Sequence, residues 1–409
     1  MSEFEGGAVQ FLPTVSTILF GRDVIRDSLK PEVDRLDAHE VLLLTPYSLR
    51  SSKITDVIKG VLKGLTVNQV SVSAEHVPLD TLADVLSQLS ERKPDVVIAL
   101  GGGSTIDLAK GIRIFGSLGI QQPNQIIEFI NSPSGLDKSP CPQISIPTTL
   151  SGSEYTRSFS VTDFEDKKKL SLTETLCSSQ TILYDPMATQ ETPRGLWLSS
   201  GIMALNHAIE VLVTSPSNMI SDSLKLTSAA YLFQYLPVSA GNPDLPAVNS
   251  AREFCQLASW MADHSPIRVR MRTNQPTIPY SHALAYQISA QYRVPYGLIA
   301  CTTLTSCLRN YAEEGGKPRD RIDQISDALP NYASTISDAL GPGESMNLII
   351  RIENLIRLLG LPIHLRDVGI PQNGLDGLAM EFAAQNSNGS EETARTLREK
   401  ASRILQDAW

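Results

Sequence analysis

The chain has 409 residues, 42% of them hydrophobic, enough for two domains of about 200 residues that each bury a core. Its 44 acidic and 35 basic side chains leave a net charge of −9 spread along the chain, which argues against a nucleic-acid-binding surface. No apolar run approaches the roughly 20 residues that span a bilayer, Glu3 and Glu5 stand where a leader peptide carries basic residues, and the five cysteines lack C-x-x-C spacing, so a cytoplasmic protein with reduced thiols and no membrane partner is expected.

The first half alternates strands with helices. Glu40 to Leu44 reads as a strand, Leu49 to Leu65 as an amphipathic helix, Val67 to Val72 as a strand, Leu79 to Glu91 as a helix and Asp95 to Leu100 as a strand. That last strand runs into Gly101-Gly102-Gly103-Ser104 and a helix start. Glycines admit an anion close to the backbone, and the bare N–H groups and positive dipole end of the helix face the same point, so the turn is a candidate phosphate cradle. The plain alternative is a tight turn that binds nothing, but three successive glycines cost backbone entropy that such a turn does not require. Ser104 followed by Asp107 fits the S-x-x-D capping pattern and sets the expected start of the helix. A further strand, Gln143 to Ile146, leads into Pro147-Thr148-Thr149. Continuous apolar strands of this kind predict a parallel sheet covered by helices on both faces, with ligand beyond the carboxyl ends of the strands.

Past Tyr184-Asp185-Pro186 the strand signals fade and helical patterns take over at Leu205 to Val213, Ser221 to Leu236, Asn249 to Asp263, Ser281 to Ala290, Met346 to Leu359 and Gly374 to Gln385. The boundary falls near residues 186 to 192. It gives an α/β domain over 1–188 and an all-helical domain over 189–409, with a small-molecule substrate in the cleft between them. Ser265 to Pro279 reads as an irregular loop over that cleft. Its Arg268, Arg270 and Arg272 are either a grip for a substrate carboxylate or a solvated cluster.

Gly101 to Ser104 with Asp107 and Lys110, then Pro147-Thr148-Thr149-Leu150-Ser151-Gly152-Ser153-Glu154, then Ser200 to Glu210, Ser281-His282-Ala283-Leu284-Ala285-Tyr286 and Val294-Pro295-Tyr296-Gly297 together resemble the iron-containing alcohol dehydrogenase family. Leu44-Thr45-Pro46 and the compact Thr148-to-Glu154 spacing are most similar to its maleylacetate reductase branch. The resemblance covers nearly the whole chain. It implies the dehydroquinate synthase-like architecture: an α/β N-terminal domain with a parallel sheet, Rossmann-like and dinucleotide-binding, plus an all-α C-terminal domain. It also implies NAD or NADP in the cleft, held by Gly101, Gly102, Gly103, Ser104, Asp107, Thr148, Thr149 and Lys169. Lys169 lies in a Lys-Lys-Lys run that reads equally well as solvated surface. Many relatives carry an acidic residue after the first strand to hold the adenosine ribose; Thr45-Pro46 stands there, so NADP is not excluded. Relatives commonly dimerise, which leaves a homodimer open.

Metal-binding members supply an aspartate and three histidines at positions that correspond to Met203, His207, Tyr286 and Tyr296, of which His207 alone keeps a ligand. A thioether is soft, and a phenol of pKa ~10 must lose its proton to bind well, so no metal is expected. Tyr286 and Tyr296 are then expected to polarise a substrate carbonyl while His207 or His282 handles the proton. The bland alternative is that the tyrosines fill space left by lost ligands, with Met203 as packing. The expected function is a metal-independent NAD(P)H-dependent reductase of a small carbonyl or enone-like substrate, similar to maleylacetate reductase. A non-redox enzyme (lyase, dehydratase, isomerase or cyclase) using the same Tyr and His residues stays open: the intact cradle favours the first class, the lost ligands the second.

Overall fold

The computed structural model describes residues 7–11, 15–73, 75–89, 93–134, 139–165, 168–215, 219–262, 267–271, 279–329, 347–387 and 389–409, with 7–11 and 267–271 described as backbone. Strands β1 (Gly7–Phe11) and β2 (Thr17–Phe20) open the chain, followed by α1 (Val24–Arg35), β3 (Glu40–Pro46), α2 (Lys53–Val61), β4 (Thr66–Val72), α3 (Leu79–Gln88), β5 (Val96–Gly101), α4 (Gly103–Leu118), α5 (Pro123–Asn131) and β6 (Gln143–Pro147). A hairpin of β7 (Ser158–Asp163) and β8 (Lys168–Thr173) precedes β9 (Thr181–Tyr184). Beyond it come α6 (Arg194–Thr214), α7 (Met219–Ser239), α8 (Pro246–Ala262), β10 (Ile267–Met271), α9 (Tyr280–Tyr292), α10 (Tyr296–Glu314), α11 (Gly316–Ala328), α12 (Leu348–Leu358), α13 (Leu375–Asn386) and α14 (Glu391–Ala408).

Six strands form one parallel sheet in the order β2-β9-β6-β5-β3-β4. The alternating side chains of β5 explain why helices cover both faces. Val97 and Ala99 pack with Leu82, Leu86, Ile112 and Phe115 of α3 and α4, whereas Val96, Ile98 and Leu100 pack with Ile25, Leu29 and Ile58 of α1 and α2. The chain leaves β3 toward β4 and returns to β5 on the other side, so the order reverses between β3 and β5. The glycine turn emerges from the carboxyl end of β5, beside that switch point, where open α/β sheets bind ligands.

The helical half is built around α6. By length and composition α6 could cross a bilayer, which corrects the expectation that no run comes near that length; 83% of its apolar window is buried inside the protein, as in a core helix. Its Trp197, Leu198, Ile202, Leu205 and Ile209 share one cluster with residues of α7, α8, α9 and α10.

Elsewhere the expected elements shift. The helix expected over Leu49 to Leu65 is a 3₁₀ turn, Tyr47–Leu49, followed by α2, because the Ser52 side chain accepts from the Thr55 N–H and caps a new start. Within the expected irregular loop, Ile267–Met271 is instead a strand paired antiparallel with β1. Ile267 and Val269 alternate with Arg268 and Arg270, a period-2 pattern that the neighbouring prolines obscured. Arg268 and Arg270 therefore sit on a strand, and Arg272 lies outside the described residues.

Candidate active site

The cradle is assembled from two strand ends. At the end of β5, a Cβ on Gly101 would stand 2.6 Å from Thr105 Oγ1 of α4, and one on Gly103 would stand 2.7 Å from Ser151 Oγ, so the turn lies as close to α4 and to the 148–153 loop as glycine permits. Thr148 donates its N–H to the Gly101 carbonyl at 2.9 Å, which joins the end of β6 to the turn. Gly102 is the N-cap of α4, with extended backbone and no side-chain cap. The expected Ser104-to-Asp107 capping box is therefore absent, and Ser104 is the second residue of the helix. The Asp107 carboxylate instead accepts the Ser153 hydroxyl and lies 3.2 Å from Lys110 Nζ. An uncapped helix start leaves its first N–H groups without a side-chain partner beside the strand end that carries Thr148 and Thr149, a chemistry that suits a pyrophosphate.

Lys110 is fully buried and donates to Ser153 O (2.6 Å), Thr156 Oγ1 (2.9 Å) and Ser158 O (2.7 Å). It fastens the 153–158 segment to α4, a role the sequence motif contained but did not reveal. Lys169 is no solvated surface lysine. Its Nζ lies 4.2 Å from the centre of the Tyr286 ring, and burial pulls its pKa below the ordinary lysine value, partly offset by the charge of Asp107. At the carboxyl end of neighbouring β3, Thr45 is buried with Oγ1 2.8 Å from Ser71 Oγ and 3.3 Å from Gln69 Nε2.

The second group of residues gathers on three helices. His207 of α6, His282 of α9 and Tyr296 at the start of α10 meet at one nitrogen. His282 Nδ1 lies 3.2 Å from His207 Nε2 and 2.8 Å from Tyr296 Oη. The Tyr296 hydroxyl is also 3.0 Å from the carbonyl of His282, to which it can donate. Burial, with a smaller contribution from the Lys225 charge, lowers the His207 pKa to about 4, so this imidazole is neutral near pH 7. Glu210, one turn after His207, accepts the N–H groups of Ser281 (2.7 Å) and His282 (3.0 Å) and the Tyr311 hydroxyl (3.2 Å). The sequence reading named Glu210 only as the end of a motif; its spacing of three from His207, which places both on one side of a helix, was the available signal.

Tyr286 goes elsewhere. Its hydroxyl is 2.7 Å from Ser171 Oγ and 3.1 Å from Ser160 Oγ, on the two strands of the β7–β8 hairpin, and burial raises its pKa above the ordinary phenol value. The structure thus joins His207, His282 and Tyr296 in one network and ties the fourth expected residue to the other wall.

Tested as a metal site, the four family positions fit poorly. Met203 is a buried thioether, the Tyr296 phenol is engaged with His282, and the Tyr286 phenol is engaged with two serines. A hard or borderline divalent ion takes carboxylates and imidazoles instead. Among the described residues no cluster of three or more His, Cys, Asp or Glu side chains could hold an ion.

The iron-containing alcohol dehydrogenase family model matches residues 15–186, and the C-terminal model of the same family matches residues 197–409. The chain is 27% identical over 364 residues to long-chain-alcohol dehydrogenase 1 of Geobacillus thermodenitrificans, covering 88% of this chain and 87% of that one. It is 25% identical over 400 residues to maleylacetate reductase 1 of Rhodococcus opacus, covering 98% and 96%. In fold it is similar to sulfoacetaldehyde reductase from Bifidobacterium kashiwanohense, solved in complex with NAD+, with a TM-score of 0.78 at 20% identity over 98% of this chain and 99% of that one. The chain therefore belongs to the iron-containing alcohol dehydrogenase family and is an NAD(P)-dependent oxidoreductase.

Proposed function

We propose that the protein is a metal-independent NAD(P)H-dependent reductase of a small carbonyl or enone-like substrate, with His207, His282 and Tyr296 as its proton donor. The observation that carries this reading is the meeting of two imidazoles and a phenol at His282 Nδ1, with a thioether and a serine-bound phenol at the remaining family ligand positions. The relatives named as alcohol dehydrogenase and maleylacetate reductase support a carbonyl or enone-like substrate.

A nicotinamide dinucleotide, when bound, supplies the hydride. Gly101, Gly102, Gly103, Ser104, Thr148 and Thr149 cradle its pyrophosphate at the start of α4. Asp107 acts through the Ser153 loop, and Lys169 lends positive charge beside Tyr286. Thr45 and Pro46 offer no carboxylate against a 2′-phosphate, so NADPH is admitted alongside NADH. As the substrate carbon gains hydride, its oxygen gains charge and takes a proton from the Tyr296–His282–His207 network. His282, the exposed member, recovers that proton from water. Neutral donors in a partly dry site stabilise an oxyanion by hydrogen bonding, which takes over part of what a Lewis acid contributes in metal-binding relatives.

The test is turnover of propanal and of an unsaturated keto acid with NADH and NADPH, on protein dialysed against chelator and analysed for metal. Activity is expected to survive chelation. Tyr296→Phe should lower kcat by about 100-fold with dinucleotide affinity unchanged by calorimetry. Activity that vanishes with chelator and returns with Fe²⁺ or Zn²⁺ would sink the metal-free reading. Full activity in Tyr296→Phe would sink the phenol assignment.

A further inference from the structure

We infer that Glu210 is a positioning residue that sets the ring of His282 against His207, an inference that rests on the proton-donor reading above. The carboxylate sits on α6, the same helix as His207, and receives the first two relevant amides of α9, those of Ser281 and His282, with one oxygen each: Oε1 at 2.7 Å and Oε2 at 3.0 Å. Tyr311 of α10 donates to the same Oε1 at 3.2 Å. One buried side chain therefore pins the starting turn of α9 to α6, with its far side held from α10, the helix that carries Tyr296. All three residues of the network are on helices that converge on this carboxylate. Glu210 follows His207 at i+3, about one turn of α6, so a shift of α9 relative to α6 moves the 3.2 Å imidazole contact directly.

Packing alone does not require this arrangement. The start of α9 already has Tyr280 buried against Tyr311 and Phe382, and the Ser281 hydroxyl lies 2.9 Å from Thr303 Oγ1, so the helix is held against the core without Glu210. What the carboxylate adds is direction. Two amides converging on two oxygens fix the axial position of α9 far more tightly than apolar contacts do, because a hydrogen bond weakens steeply with misalignment.

The experiment compares the wild-type protein with Glu210→Ala and Glu210→Gln. ¹⁵N signals of the histidine rings are recorded by NMR on ¹⁵N-histidine-labelled protein, together with kcat and KM for propanal with NADPH and calorimetric NADPH affinity. In Glu210→Ala, the ring signals of His207 and His282 should move to those of imidazoles no longer bonded to each other. Its kcat should fall by about 100-fold, with NADPH affinity changed by less than about twofold. Glu210→Gln keeps one acceptor oxygen for one of the two amides and should be intermediate in both ring signals and kcat. If Glu210→Ala fails to fold, Glu210→Gln decides by the same two readouts. Wild-type ring signals in a folded variant would overturn the inference, whatever happens to its melting temperature. Altered ring signals with unchanged kcat would leave the positioning role standing and sink the proton-donor reading instead.

Discussion

At Gly103 the backbone passes so near the 148–153 loop that a methyl group there would press on Ser151 Oγ and intrude on the space the uncapped α4 amides face. Gly103→Ala is therefore expected to weaken NADH or NADPH binding by about tenfold, ~1.4 kcal/mol, while the fold survives because Ser151 can rotate away. Calorimetry on the variant checks this, and unchanged affinity would show that the anion lies elsewhere. The cradle was legible because its parts are consecutive: strand, glycines and helix start follow one another in the chain. Ser104 and Asp107 have the spacing of a cap, yet Asp107 is drawn to Ser153, supplied by a loop some forty residues on, and to Lys110 one turn along α4. Tyr286 shows the same limit more sharply. Its serine partners lie 126 and 115 residues away in sequence, on a hairpin no motif announces, so no local pattern could have separated it from Tyr296.

Helix α10 packs close against α6 at its first turn because Gly297 lies against the backbone of α6. A Cβ there would stand 2.7 Å from both the carbonyl carbon and oxygen of Ser199, and backbone cannot swing aside as a side chain can. Gly297→Ala should push α10 off α6 and carry the neighbouring Tyr296 hydroxyl away from His282. The expected cost is about 1–3 kcal/mol of stability and a loss of kcat beyond that of Tyr296→Phe. Urea unfolding and steady-state kinetics measure the two effects; a variant with wild-type stability would refute the close approach. Among the elements, β3, β5 and β6 were readable from runs buried on both faces. The β7–β8 hairpin carried its own signal in the alternation of Phe159 and Val161 with Ser158, Ser160 and Thr162, but it stands outside the main sheet as a two-stranded ladder and Thr162 is buried as well, which makes the pattern faint. The pairing of β1 with β10 joins segments some 260 residues apart in the chain, and neither segment announces the other.

For the molecule as a whole, two buried carboxyls give stability an unusual dependence on pH. Burial raises Glu154 and Glu210 from 4.5 to about 7. Glu154 accepts from Tyr184 at 2.8 Å through one oxygen, and its other oxygen is buried without a partner, as suits a carboxyl that keeps its proton. Between pH 4.5 and 7 the unfolded chain has released these protons and the folded chain retains them, so each carboxyl lowers stability as pH rises through that window. His207 works in the opposite sense: with its folded value near 4 against 6.5 unfolded, it costs stability as pH falls from 6.5 toward 4. Glu154→Gln removes one carboxyl contribution. Its stability relative to wild type should climb between pH 4.5 and 7, by on the order of 1 kcal/mol per pH unit, and level off above. Urea midpoints at pH 5, 6, 7 and 8 test this, and parallel curves for the two proteins would contradict it. The Tyr286 hydroxyl, held by Ser160 and Ser171 with Lys169 against its ring, spans the gap between α9 and the hairpin. Moving α9 away from the hairpin would return a phenol, two serines and an ammonium to water together.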